Sequence, residues 1–182
     1  MLSEEQRTRL LQVARQSVLA ACCGEAEPEL DTDDPALTAV QGAFVTLHRA
    51  NGDLRGCIGH IEGVAPLIET VAEMATAAAT QDPRFPQVRC DEVPSLHIEI
   101  SAMSPITEVT DVEKIEVGRH GLIVTCGYRR GLLLPQVATE YAWTCDEFLC
   151  QTCVKAGLPP HAWKDEATKV ECFEAEVFGE AR

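Results

Sequence analysis

Apolar residues at Leu10, Leu11, Ala14, Val18 and Ala21 recur with helical spacing. Ser3 followed by Gln6 forms a capping box and Gly24 supplies a stop, so the pattern predicts an amphipathic helix over 3–23. Further on the period changes. "GAFVTLHRA" and "LRGCIGHI" read as strands joined by "NGD", and Asn51-Gly52 is a strong hairpin signal because both residues tolerate positive φ. "APLIETVAEMATAAAT" returns to helical spacing with Pro66 in its first turn, and its small residues suit close packing.

"SLHIEISAMSP" alternates strictly, with Leu96, Ile98, Ile100 and Ala102 on one face and His97, Glu99 and Ser101 on the other, as expected of a half-buried antiparallel strand. A second hairpin is predicted around Cys126 to Gly131, then a turn after Pro135 and a helix capped by Thr144 with Glu147 that ends at Gly157. "TKVECFEAEVFGE" alternates as a last strand. Hairpins mixed with helices, without a regular βαβ repeat, predict an α+β fold in a single domain over 1–182. Between the first helix and the first strand lies an acidic linker, 25–36, opening with "EAEPELDTDD", six acids in ten residues.

Charge narrows the function classes. Fifteen basic against 29 acidic side chains leave a formal charge of −14, which repels phosphate backbones and anionic lipid, so neither nucleic acid nor membrane is an expected partner. No apolar run is long enough to span a bilayer, and "MLSEEQRTRLLQ" is unlike a secretory signal, so the expected location is the cytoplasm. The nine cysteines are odd in number in a chain long enough to need no staples, so all are expected as reduced thiols.

The stretch "DLRGCIGHIEG" carries the most chemistry. On a regular strand Arg55 and Cys57 share a face, where the guanidinium favours the thiolate, and Gly56 and Gly59 leave the sulfur unshielded. His60 projects to the other face unless Gly59 bends the chain. The opposing reading makes the glycines a bulge and Cys57 a core residue.

Cys145, Cys150 and Cys153 have a C-x4-C-x2-C spacing known from iron–sulfur sites. On one regular helix the outer two are separated by about 12 Å of rise, so no metal-ligand set is assigned. Cys150 and Cys153 then form an ordinary buried face. "DPRFP" offers Asp82 and Arg84 on stiff backbone, and "GYRRGLLLPQ" offers Arg129, Arg130 and Gln136, arginines suited to an anionic ligand or to carboxylates. Glu99, turned into a cleft, would suit proton transfer. His120 and His161 read as surface or capping residues. Dinucleotide-binding, Walker A, zinc-protease and serine-hydrolase motifs are absent from the sequence.

In order along the chain, "LRGCIG", "DPRFP", "HIEIS", "HGLIV", "RRGLLLPQVA", "KAGLPPHAWK" and "FEAEVFGE" resemble the AMMECR domain family, whose bacterial and archaeal members are called AmmeMemoRadiSam system protein A. The resemblance implies a two-lobed α+β domain with an antiparallel sheet, flanking helices and a cleft. It places the family's hallmark string on Leu54, Arg55, Gly56, Cys57, Ile58 and Gly59. The implied partners are a Memo-type protein and a radical S-adenosylmethionine enzyme. The family's activity and cofactors are unsettled.

Two functions follow. In the first the chain is an enzyme or enzyme component: Cys57, Arg55, Glu99 and His60 carry the chemistry, and Gly56, Gly59, Arg84, Arg130 and Gln136 bind a small-molecule ligand. In the second it is a non-catalytic binding or scaffold partner of those two proteins. Metal carriage ranks last.

Overall fold

The computed structural model describes residues 1–180. The chain forms two compact units, one built from 1–103 and from Glu176 onward, the other from Ser104–Ala175.

The first unit opens with helix α1, Glu4–Cys23. The Ser3 and Gln6 side chains cap each other's backbone, and Gly24 ends the helix at φ 72° with its amide on the Ala20 carbonyl. Leu10, Val13, Ala14 and Val18 of α1 are fully buried. Each contributes roughly 1–3 kcal/mol by leaving water. The acidic linker has no regular structure until a short helix, α2, Pro35–Thr38, begins behind the Asp34 cap.

Strands β1, Ala43–His48, and β2, Leu54–His60, form the expected hairpin, with Gly52 at φ 90° in its turn. Helix α3, Leu67–Thr80, follows, and β3, His97–Met103, pairs antiparallel with the other side of β1. β2 is therefore an edge strand. Val45, Leu47, Ile98 and Ile100 turn toward α1 and α3 and close the core. The alanines of α3 let its backbone come close to β2: a Cβ at Gly56 would fall on the carbonyl oxygen of Ala78.

The hairpin is not regular. Leu47 opposes Gly56 but His48 opposes Leu54, so Arg55 is the extra residue of a β-bulge.

A covalent link overturns the expectation that every cysteine is a free thiol. Cys23, at the end of α1, is disulfide-bonded to Cys90, 67 residues away, with Cα atoms 4.9 Å apart. The reason is tertiary. Helix α1 ends beside the segment that follows α3, and no sequence spacing reports that approach. The other seven cysteines are free.

The second unit holds β4, Thr107–Glu108; β5, His120–Cys126; and β6, Arg129–Leu133. It also holds helices α4, Pro135–Glu140, and α5, Cys145–Lys155, together with the first part of β7, Lys169–Gly179. Here β5 lies between β6 and β7, and β4 pairs with β7, all antiparallel. Helix α5 starts at a capping box of Thr144 and Glu147 and packs Phe148, Leu149 and Cys153 onto Leu122 and Val124. Gly131 of β6 permits this, since a Cβ there would strike the backbone of Ala156. Helix α4 stands where the pattern predicts a turn after Pro135. Both units are α+β, and the strand pairs named above are antiparallel. No described helix is long and apolar enough to cross a membrane.

Candidate functional site

The site is built on three adjacent strands. Registers place Thr46 opposite Cys57 on one side and opposite Glu99 on the other, so Cys57, Thr46 and Glu99 form a row across β2, β1 and β3. Alternation directs their neighbours Val45, Leu47 and Ile98 into the core, which leaves this row on the outer, half-buried face. The Thr46 hydroxyl donates to Cys57 Sγ at 3.2 Å. Beside Glu99 stands His48, whose Nδ1 lies 3.3 Å from the Gly52 carbonyl oxygen and so is its donor nitrogen. Its Nε2 is buried without a hydrogen bond, 3.8 Å from Glu99 Oε1.

The segment 82–92 wraps β2 and decides its electrostatics. Asp82, whose side chain is 2% exposed, accepts the Cys57 amide at 2.8 Å. It also accepts the Arg84 amide at 3.0 Å and the Arg84 guanidinium at 2.9 and 2.7 Å. Those guanidinium bonds, with help from the two amides, hold the Asp82 carboxyl far below the usual carboxylate range against the opposing effect of burial. The Arg84 guanidinium also reaches the Cys57 carbonyl at 3.4 Å while 55% of its side chain stays exposed. Arg84 is held above its ordinary value by its bonds to Asp82 and by that carboxylate's charge.

Arg55 serves a different place. The bulge removes it from Cys57's face and buries it, 2% exposed. Its donors go to Glu92 at 3.1 and 3.2 Å and to the Pro86 and Gln87 carbonyls at 2.9 and 3.2 Å. Its bonds pull the Glu92 carboxyl down, and burial pushes the Cys22 thiol up against the opposing charge of Arg55. The expectation that Arg55 faces Cys57 is thus corrected, because period-two alternation fails at a bulge. The guanidinium beside Cys57 belongs to Arg84.

His60 is placed apart as well. β2 stays regular through its pairing with Ala43, so Gly59 makes no bend and His60 keeps the face opposite Cys57, with Nδ1 2.6 Å from the Glu62 carbonyl oxygen. The spaces beside the glycines are filled from within: Ala78 occupies that beside Gly56, and Phe44 with Ala43 that beside Gly59. Arg130 and Gln136 belong to the second unit, Arg130 opposite Thr125 in the β5–β6 hairpin and Gln136 exposed in α4. No motif in the local sequence marks Thr46 and His48 as site residues. The alternation of "AFVTLH" was the available signal, since it sets both on the polar face of β1.

Similar proteins occur in archaea. A protein of Methanothermobacter thermautotrophicus is 44% identical over 98% of this chain and 96% of its own length. The protein MJ0810 of Methanocaldococcus jannaschii is 48% identical over 77% of this chain and 73% of its own. The crystal structure of the uncharacterised protein PH0010 from Pyrococcus horikoshii superposes with a TM-score of 0.74 at 42% identity, covering 94% of this chain and 89% of that one. Residues 11–178, which include every element of the Cys57 site, match the AMMECR1 family model, and the chain belongs to that family.

Proposed function

We propose that the chain is an enzyme or enzyme component that works through the thiol of Cys57, within a system containing a Memo-type protein and a radical S-adenosylmethionine enzyme. The observation that carries this reading is the 3.2 Å bond from the Thr46 hydroxyl to Cys57 Sγ on a half-buried polar face. A hydroxyl donor stabilises negative charge on sulfur, the state in which a thiol attacks an electrophile. Arg84 stands next to it as a half-exposed cation for an anionic substrate, and His48 on β1 with Glu99 on β3 supplies groups that move protons farther along the same face.

A second reading has its own observation. Arg55, Gly56 and Gly59 are engaged inside the fold, which suits a scaffold whose hallmark string is architectural.

Iodoacetamide labelling of the folded protein at neutral pH, resolved by mass spectrometry, separates the two. The thiol reading expects Cys57 to label in the native protein, with slower labelling in Thr46→Val and Arg84→Gln. If Cys57 labels only after urea unfolds the chain, the scaffold reading replaces it. Pull-down of the two partner proteins at micromolar concentration is then the decisive measurement.

A further inference from the structure

The Cys57 site leaves a second set of thiols unused. Helix α5 carries Cys150-Gln151-Thr152-Cys153, a C-x-x-C string within a continuous helix. Residues three apart on a helix have Cβ atoms about 5–6 Å apart, so both sulfurs stand on one stripe. Their surroundings differ. Cys153 is fully buried among Phe148, Leu149 and Leu122, and burial raises its thiol above the ordinary value. Cys150 is half-buried, with Sγ 3.4 Å from Nδ1 of the exposed His161.

We propose that Cys150, Cys153 and His161 form a dithiol site that reduces low-molecular-weight disulfides. An imidazole against a partly accessible thiol is the arrangement of an activated nucleophile, and a buried thiol one turn away is the arrangement of a resolving partner. Cys150 passes its proton to His161 and its sulfur attacks one sulfur of the substrate. A bond forms between them, the substrate S–S bond breaks, and the departing thiolate takes the proton from His161. Cys153 then attacks Cys150 Sγ, expelling the second substrate sulfur, which leaves with the Cys153 proton. The substrate gains two electrons and two protons, and the pair becomes a disulfide that a dithiol reductant reopens.

Helix geometry favours exchange over permanent linkage. A disulfide needs Cβ atoms about 3.5–4.5 Å apart, so the helix must yield locally to close the bond, and a strained disulfide is readily reduced. This inference stands apart from the Cys57 reading, since it uses other residues in the other unit.

The test treats the full chain with glutathione disulfide at neutral pH and maps cysteine states by peptide mass spectrometry. A Cys150–Cys153 link is expected in the native protein. In Cys153→Ala the reaction should halt with glutathione on Cys150, and Cys150→Ser should abolish capture there. His161→Ala should slow capture at least about tenfold, with partial rescue by free imidazole, an effect that a merely structural histidine would not give. The proposal falls if native Cys150 does not react, if glutathione stays on wild-type Cys150, if the link forms to Cys145 instead, or if His161→Ala reacts at the wild-type rate.

Discussion

The amide of Cys57 and the carboxylate of Asp82, 25 residues apart in sequence, meet at 2.8 Å. β2 is an edge strand, and edge strands present unpaired amides on which another chain can add. Asp82 covers one such amide and at the same time draws Arg84 to the strand that bears the thiol. One buried carboxylate thus fixes both the edge and the charge around Cys57.

Asp82→Asn should therefore be costly. It replaces charge-assisted bonds to two amides and a guanidinium by weaker ones in a buried position, a loss of about 2–3 kcal/mol. Urea unfolding at neutral pH measures it, and a change below about 0.5 kcal/mol would contradict the assignment.

The same group sets a pH dependence. The folded-state values of Asp82 and Glu92 are depressed, by the Arg84 and Arg55 guanidinium bonds respectively. In acid the unfolded chain binds protons that the folded chain refuses. Their contribution is present above the unfolded carboxylate value of about 4 and is lost as pH falls through the folded values. Unfolding free energy should drop as pH falls from about 5 toward about 2, and drop less in Asp82→Asn. Equal slopes for the two proteins would remove Asp82 from the account.

Within the hallmark string, tolerance should be uneven. Gly56→Ala drives a methyl into the Ala78 carbonyl and should cost about 3 kcal/mol or prevent folding, because backbone cannot step aside. Cys57→Ser, on a half-buried face with room for a hydroxyl, should keep its thermal midpoint within a few degrees, as a change below about 1 kcal/mol would. Thermal melts of the two variants check the ranking, and the reverse order would refute it.

Opening the Cys23–Cys90 bond releases a loop with a sequence separation of 67 residues. Chain-entropy arguments put its worth at about 4 kcal/mol. Paired urea titrations of the wild type and of Cys23→Ala with Cys90→Ala should show that difference, and coincident curves would show that packing alone holds the segment.

Much of the fold is legible in short stretches of sequence because the interactions that shape them are short. Ser3 with Gln6, Thr144 with Glu147, and the Asn51-Gly52 turn all bond within a few residues, and each appears where the pattern puts it. Burial of Ile98, Ile100 and Ala102 follows from alternation alone. The site is less legible. Arg55 leaves Cys57's face because pairing with Leu47 and His48 forces a bulge, a fact that resides in the partner strand. Asp82 reaches Cys57, Glu92 reaches Arg55 and Cys90 reaches Cys23 across 25, 37 and 67 residues, distances over which neither spacing nor propensity carries information.

The bulge also gives β2 one position more than its pairing requires. Deleting Arg55 would restore regular pairing with β1 and leave Cys57 opposite Thr46, its thiol still on the outer face, while removing the guanidinium that ties the strand to Glu92 and to the Pro86 and Gln87 carbonyls. The extra position therefore serves the wrapping segment and not the thiol: a chain shortened there would keep the hairpin and the row across three strands, and would lose its hold on the stretch that carries Asp82 and Arg84 toward Cys57.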